Sequence, residues 1–295
     1  MSLSRMCCLF GMSRQAYYKR FHCHIKEQKE FTIVLQLIQE VRQTHPRIGG
    51  RKLYAMLSES IQEHGIRMGR DALFNLLRDS GLLIRRRRRI ARTTWSSHPY
   101  RKYKNLIKGF TPTAPNQLWV SDITYLTTRQ GFLYLSLITD AYSRKIVGYD
   151  LADNLEAVNA LNALQSAIGS LTPTHQLIHH SDRGIQYCFH EYTQLLQQHG
   201  IQISMTESGD PLENALAERV NGILKEEYLS NQPIQNKNQA MKLLNNTITL
   251  YNQHRPHLSC NMLTPEQVHQ HHLPTKRLWK NYYPKKSNLV NQLQD

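Results

Sequence analysis

The spacing of apolar residues changes along the chain and separates a helical front part from a rear part with strands. Before residue 110, apolar side chains recur every three or four positions, as on the buried face of a helix. Glycine and proline interrupt this pattern at the turns. The pattern predicts helices over residues 3–10, 14–20, 32–44, 51–63 and 71–79.

The first two predicted helices form a closely spaced pair. Gly11 and Met12 make a tight turn, and Ser13 is placed to cap the helix that begins at Arg14. A glycine-containing turn before a capped basic helix is typical of a helix-turn-helix, whose second helix enters the major groove of DNA. A helical hairpin with a basic face explains the same pattern, and both interpretations stay open at this point.

From residue 117 the apolar runs take the length and alternation of strands. The order of strands and helices predicts an α/β fold, a mixed sheet flanked by helices, preceded by small all-α helix-turn-helix units. Glu227 falls on the apolar side of the helix predicted over 214–229, so we expect that helix to fray or bend before this residue. The pattern predicts strands over 118–126, 132–140, 144–151, 176–181 and 201–204, and helices over 155–168, 187–199 and 214–229.

The charge is concentrated in the front part. Residues 1–110 contain 23 Lys and Arg against 7 Asp and Glu, whereas residues 111–295 contain 14 against 15. Charge scattered over a solvated surface would not be this uneven, so the balance indicates a nucleic-acid-binding region joined to a part with another task. Five consecutive arginines, Arg85 to Arg89, are typical of phosphate neutralisation without base reading.

Cysteine usage and hydropathy indicate the compartment. The five cysteines are odd in number and lack the spacing of a disulfide scaffold, which favours a reducing cytosol. Adjacent Cys7 and Cys8, with His22, Cys23 and His24, do not match the gapped spacing of structural zinc sites. No apolar run reaches the length of a membrane span, so we expect a soluble protein with no membrane partner.

Three acidic residues carry the candidate chemistry. Asp122 interrupts an apolar strand, Asp182 ends a later strand, and Glu218 lies on a helix, with 59 and 35 residues between successive acids. Two divalent ions need several carboxylate oxygens, which must come from different elements that converge on one point. A buried carboxylate within a strand is costly unless it binds a metal or another cation. The three acids therefore predict a metal site.

Each acid also has a simpler interpretation. Asp182 stands in a Ser-Asp-Arg-Gly sequence that suits a loop, and Glu218 could be an ordinary surface glutamate. Lys225 falls within about 40° of Glu218 around the helix, and the apolar residues fall opposite, so one face can present both charged groups. Asp140 ends a strand before a turn, and we interpret it as structural.

The residues around these acids resemble a known family. Trp119 precedes Asp122, His180-Ser181 and Arg183-Gly184 flank Asp182, and Asn214-Ala215 precede Glu218. The chain resembles bacterial insertion-sequence transposases of the second-reading-frame type, whose catalytic core is similar to that of retroviral integrases and carries two aspartates and a glutamate. Further matching positions are Asp140, Ser143-Arg144, Lys225, Tyr251-Asn252, Arg255-Pro256-His257 and Thr264-Pro265, with Phe10 to Ser13, Tyr17-Tyr18 and His45 to Arg51 in the front part.

The resemblance implies an RNase H-like fold and an enzyme that cleaves DNA at the ends of an insertion sequence and transfers the strands to target DNA. It implies two Mg²⁺ ions, with Mn²⁺ as an alternative, held by Asp122, Asp182 and Glu218. Its expected partners are double-stranded DNA, further copies of the chain in a dimer or larger oligomer, and an upstream-frame protein or fusion. The expected location is the bacterial cytoplasm, at the nucleoid. The residues expected to contact DNA are Lys225, Arg14, Arg47, Arg51, Lys52, Arg70, Arg85, Arg86, Arg87, Arg88 and Arg89.

The predicted organisation has five parts. They are a helix-turn-helix-like segment at 1–30, a second helical DNA-binding unit at 31–84, a basic linker at 85–112, an integrase-type catalytic core at 113–272 and a basic tail at 273–295. Two other functions compete with the transposase. One is a DNA-binding regulator whose α/β part senses or dimerises, and the other is an RNase H-like nuclease or resolvase that hydrolyses DNA without joining it.

Overall fold

A computed structural model describes residues 2–84, 99–171, 176–207, 214–229 and 233–273. The arginine run at 85–89 and the predicted tail after residue 273 lie outside the described residues. The chain divides into two compact units, residues 1–91 with 226–228 and residues 92–225 with 229–295.

The first unit is helical, as predicted. The cap at Ser13 is confirmed, because its side-chain oxygen accepts a hydrogen bond from the Ala16 amide at 3.1 Å. Its core consists of apolar residues at helical spacing, among them Ile38, Leu57 and Leu77. The helices are α1 (Leu3–Leu9), α2 (Arg14–Thr44), α3 (Gly50–Glu63) and α4 (Arg70–Asp79).

The prediction of separate helices over 14–20 and 32–44 was wrong. Helix α2 runs for 31 residues without interruption, so the boundary predicted at residue 30 falls inside it. The segment from Phe21 to Phe31 contains neither glycine nor proline and carries lysine, glutamate and glutamine, which all favour helix. The weak apolar periodicity there is a consequence of exposure, since the first buried residue of α2 is Val34.

The second unit contains a five-stranded mixed sheet in the order β3-β2-β1-β4-β5. The α/β architecture is therefore confirmed. Strands β1, β2 and β3 pair antiparallel, and β4 and β5 extend the sheet in parallel from the other edge of β1. The strands are β1 (Leu118–Thr128), β2 (Gly131–Asp140), β3 (Ile146–Ala152), β4 (Ile178–Ser181) and β5 (Gln202–Met205).

One face of the sheet is covered by helices α5, α6 and α7. Their shared core includes Trp119, Leu164 and Leu196, each at most 1% exposed. The helix predicted over 187–199 is two helices, because Phe189 takes extended backbone angles between them. The helices of this unit are α5 (Ala157–Gly169), α6 (Ile185–Cys188), α7 (His190–Gln198), α8 (Ala215–Ile223), α9 (Lys237–Gln253) and α10 (Pro265–His271).

A glycine sets how closely α5 approaches the sheet. A Cβ atom on Gly148 of β3 would lie 2.3 Å from the Ala163 carbonyl oxygen and 2.7 Å from the Ala167 side chain. Only a residue without a side chain allows this contact.

Helix α8 packs on the opposite face of the sheet. Leu118 and Val120 of β1 share a small buried cluster with Ala217 of α8. The sequence predicts that the helix frays or bends before Glu227, and in the structure the regular helix gives way to a π-helical turn over Leu224–Tyr228.

Tyr251 and Asn252, two of the residues that match the family, hold the turn between β2 and β3 by hydrogen bonds. The Asn252 side chain both accepts from the amide of Ile146 and donates to its carbonyl, each at 3.0 Å. The Tyr251 hydroxyl donates to the Arg144 carbonyl at 2.9 Å. These residues therefore stabilise the fold at a distance from the three acids. Within the described ranges, no helix is long and apolar enough to cross a membrane.

Candidate active site

The first two acids lie on or just after neighbouring strands, Asp122 within β1 and Asp182 directly after the end of β4. Val120 of β1 pairs with His180 of the parallel strand β4, and this pairing is the last between the two strands. Asp122 and Asp182 each follow two residues later, on strands that are about 5 Å apart where they pair. Residues two apart share one face of a strand. Asp122 therefore lies on the same face of β1 as Val120, the face that α8 covers.

A buried asparagine on α8 holds Asp122. The Asn221 side-chain amide, 4% exposed, donates to Asp122 Oδ2 at 2.7 Å. The other oxygen, Oδ1, accepts from the Ile123 amide at 3.0 Å. Sequence analysis missed Asn221. Its position three residues after Glu218, on the same side of a helix, was the available signal.

The loop after β4 orients Asp182. Its Oδ1 accepts from the Gly184 amide at 2.9 Å. A Cβ atom at Gly184 would lie 3.0 Å from that oxygen, so glycine lets the loop fold closely around the carboxylate. Burial raises the pKa of Asp182, and the Gly184 amide partly opposes this effect. The ionised carboxylate is thus held at a cost that a nearby cation would offset.

Glu218 is exposed on α8, which is fastened along β1. The Asn214 side chain donates to the Ser121 carbonyl at 2.9 Å at the start of the helix, and Asn221 contacts Asp122 one turn after Glu218. In the part of the chain that the structure describes, no three His, Cys, Asp or Glu residues are grouped closely enough to hold a metal ion. The structure therefore places Asp122 and Asp182 on or just after two paired strands and packs the helix of Glu218 against β1, without closing the three acids into one cluster.

Lys225 extends the site along β1. Its ammonium lies 3.4 Å from Thr124 Oγ1 and 4.3 Å from the centre of the Tyr125 ring. A cation over an aromatic face is attracted by the ring's negative charge density. The ammonium of Lys225 is therefore held against β1, two to three residues further along this strand than Asp122.

The predicted DNA contacts of the helical unit differ in accessibility. Arg14, Arg51 and Arg70 are exposed, and Arg47 is half-buried. Lys52 is only 9% exposed, and its ammonium lies 3.6 Å from Glu227. This burial argues against a DNA contact by Lys52, because an ammonium that is desolvated and paired is not available to phosphate.

Asp140, interpreted as structural, is fully buried at the end of β2. It accepts hydrogen bonds from the Asn116 amide at 2.8 Å and from the amide and hydroxyl of Ser143 at 2.7 Å. A carboxylate with these donors shapes the turn. The structural interpretation is confirmed.

A polar network lies beneath the two aspartates on the other face of the sheet. His179 Nε2 lies 2.6 Å from Ser121 Oγ and 2.9 Å from the Tyr192 hydroxyl. Burial, and then the neighbouring His180, lowers the pKa of His179 to about 3. This histidine is therefore neutral at physiological pH and links β1, β4 and α7.

The residues at this edge fit a divalent cation. Asp122 and Asp182 offer carboxylate oxygens, the donors that Mg²⁺ prefers. Burial raises the pKa of Asp182, because removal from water disfavours the charged carboxylate, and a bound cation would offset this effect. Asn221 keeps its own carbonyl oxygen buried beside Asp122, with no hydrogen-bond partner among the described residues.

Comparisons with known proteins identify the family. Two family models, both described as integrase core domain, match residues 112–211 and 199–265. A 31 kDa protein of insertion element IS600 from Shigella sonnei is 36% identical over 90% of this chain and 99% of its own length. The transposase of insertion sequence element IS629 from the same organism is 32% identical over 72% of this chain and 70% of its own length. The chain belongs to the insertion-sequence transposases.

Membership of this family establishes the fold of the core, the substrate and the class of enzyme. The transposase has an integrase core of RNase H-like fold, acts on DNA, and is a polynucleotidyl transferase. An integrase core implies dependence on a divalent metal. Among solved structures, the HTLV-2 integrase catalytic core domain in complex with magnesium is 21% identical, with 53% of this chain and 98% of that chain covered and a TM-score of 0.43.

Proposed function

We propose that this transposase cleaves DNA at the ends of its insertion sequence and joins those ends to target DNA at a site formed by Asp122, Asp182 and Glu218. The observation that supports the proposal is the pairing of β1 with β4, which ends at Val120 and His180, two residues before each aspartate, together with the packing of α8 on β1.

The three acids would hold two Mg²⁺ ions, or Mn²⁺ in their place. Bound there, the ions activate the attacking water or DNA 3′-hydroxyl and stabilise the leaving oxygen. Asp122 would contribute to holding the ions together with the other two acids, because its strand β1 pairs with β4, which Asp182 follows, and packs against the helix that carries Glu218. Asn221 keeps the Asp122 carboxylate in one orientation through its 2.7 Å hydrogen bond.

Closing the site requires Glu218 to join the two aspartates. The hydrogen bonds from Asn214 and Asn221 to β1 limit this movement to the stretch of α8 between them. Asn221 lies one turn from Glu218, so a change of side-chain rotamer or a small shift of α8 is sufficient. The metal ions would supply positive charge and the DNA phosphate negative charge, and together these charges favour this arrangement.

The remaining positive charges would contact the DNA backbone. Lys225 is a point charge beside the acids and suits a phosphate close to the cleaved bond. Arg14, Arg51 and Arg70 on the helical unit and Arg85 to Arg89 would bind the ends of the element. Two DNA ends must be brought together in one reaction, so the active form is at least a dimer.

A joining assay tests this function. The DNA that flanks the gene supplies labelled ends, a plasmid supplies the target, and the reaction runs in Mg²⁺. We expect joined products, their loss in EDTA, and a loss of at least about a hundredfold in Asp182→Asn, because the metal supplies several kcal/mol of transition-state stabilisation.

The control is Asp153→Asn, which removes an exposed carboxylate that is paired with Lys237 away from the site. We expect it to join at the normal rate. Cleaved but unjoined ends would indicate a nuclease in place of a transposase. Normal joining by Asp182→Asn would overturn the site assignment.

A further inference from the structure

A buried tyrosine shortly after Asp182 has a hydroxyl with no hydrogen-bond partner in the described part of the chain. Tyr187 lies on α6, five residues after Asp182, and is 3% exposed. Its ring packs edge-on against Tyr192, with 5.5 Å between ring centres, and against His179. Among the residues that the structure describes, none forms a hydrogen bond with its hydroxyl oxygen.

This situation is unusual for a buried hydroxyl. A hydroxyl that loses water and gains no partner destabilises the folded state, so such groups in native proteins call for an explanation. Phenylalanine would fill the same space without this cost. The packing of the ring therefore accounts for an aromatic residue at position 187, but not for its oxygen.

The backbone and the ring of Tyr187 lie close to the loop that orients Asp182. The Tyr187 amide donates to the Gly184 carbonyl at 3.0 Å, which anchors the residue on that loop. The place of a Cβ on Gly184 lies 3.0 Å from Asp182 Oδ1 and 3.7 Å from Tyr187 Cδ2, so the ring and the carboxylate both lie close to this glycine. Burial raises the pKa of Tyr187 well above its ordinary value, and the charges of Asp182 and Asp122 raise it further.

We propose that Tyr187 is a positioning residue of the metal site, whose hydroxyl donates a hydrogen bond that orients the Asp182 carboxylate, directly or through one water, when an ion is bound. Gly184 already holds one oxygen of Asp182. A second donor fixes the rotation of the carboxylate, which lets the other oxygen meet the ion without reorganisation. Groups that orient metal ligands in this way contribute about tenfold or more to metal affinity.

Tyr192 provides a matched control. It is also a buried tyrosine, 1% exposed, in the same aromatic cluster, but its hydroxyl lies 2.9 Å from His179 Nε2. Removing the Tyr192 hydroxyl breaks a hydrogen bond of the fold. Removing the Tyr187 hydroxyl breaks none among the described residues.

The experiment compares Tyr187→Phe, Tyr192→Phe and Asp182→Asn in the full chain. Mn²⁺ binding is measured directly by titration, and the unfolding temperature is measured in EDTA. We expect Tyr187→Phe to weaken Mn²⁺ binding about tenfold and to leave the unfolding temperature in EDTA unchanged or higher. We expect Tyr192→Phe to lower that temperature by several degrees and to bind Mn²⁺ normally.

Two results would overturn the role of Tyr187. In one, Tyr187→Phe binds Mn²⁺ and joins DNA as the unmodified protein does. In the other, it lowers the unfolding temperature as much as Tyr192→Phe, which would show a structural partner for the hydroxyl. The inference rests on the proposed metal site, and Asp182→Asn tests that site separately. Normal Mn²⁺ binding by Asp182→Asn would refute the site itself, whatever Tyr187→Phe does.

Discussion

At the scale of single residues, the acids depend on uncharged neighbours that hold them. Asp122 accepts hydrogen bonds from the Asn221 side chain and the Ile123 amide, and Asp182 accepts one from the Gly184 amide. A hydrogen bond to a charged group contributes about 1.5–3 kcal/mol, roughly twice a neutral one. Orientation of the carboxylates before metal binding is therefore built into α8 and into the loop after β4.

Asn221→Ala tests this dependence. We expect the DNA joining rate to fall about tenfold or more, because the Asp122 carboxylate loses its fixed orientation. We also expect the free energy of unfolding to fall by about 1–3 kcal/mol through the lost buried hydrogen bond. Joining kinetics and urea denaturation measure the two effects.

Asn159→Ala is the matched control for that variant. Asn159 is a buried asparagine on α5 whose side chain donates to the Asn154 carbonyl at 2.9 Å and to the Asn154 side chain at 2.7 Å, and not to an aspartate. It should lose comparable stability and keep normal joining. Equal joining rates in the two variants would show that Asn221 serves the fold alone.

At the scale of helices and strands, the sequence was a good guide wherever short apolar runs end at turn residues. All five strands of the sheet were predicted within a few residues of their observed bounds, because such runs mark buried strands even where burial does not alternate. The register of β1 against β4 could not be predicted, since pairing between distant segments leaves no local signal. That pairing brings the segments of Asp122 and Asp182 onto neighbouring strands.

The errors in helix prediction also have physical reasons. The exposed first half of α2 has no buried stripe, so its periodicity is too weak to show that the helix continues. Phe189 interrupts the helix predicted over 187–199 through its backbone alone, without glycine or proline. The hydrogen bond from Asn221 to Asp122 was not predicted either, because an asparagine is uncharged and leaves no charge pattern on a helix.

The close contact between α5 and the sheet gives a prediction at this scale. Gly148→Ala would push a methyl group against the Ala163 carbonyl and the Ala167 side chain. We expect it to lower the free energy of unfolding by about 1–3 kcal/mol, as overpacking does. Chemical denaturation gives the value.

Gly169→Ala serves as its control, because a Cβ atom at Gly169 meets no atom within 4 Å at the end of the same helix. This variant should be neutral or more stable, by at most about 1 kcal/mol. If Gly148→Ala left the free energy of unfolding unchanged, this would mean that α5 can move away from β3 at little cost.

At the scale of the whole molecule, charge and chemistry are separated along the chain. The helical front part carries the positive excess, whereas the rear part is nearly neutral and carries the acids. This division suits a transposase that holds DNA with one part and reacts with it in another. Asp122 lies in β1, Asp182 directly follows β4, and Glu218 lies on the helix packed against β1, so we interpret the final closure of the site as a step that DNA and metal complete.

The most direct measurement of the central claim is the strand-transfer rate of Glu218→Gln, beside its affinity for DNA of the element ends. Glutamine keeps the size and polarity of the side chain and removes the charge that would hold an ion. The control is Glu191→Gln, an exposed glutamate in the first turn of α7. The account predicts that Glu218→Gln loses strand transfer by at least about a hundredfold while both variants bind DNA normally. Strand transfer by Glu218→Gln at the rate of Glu191→Gln would contradict it.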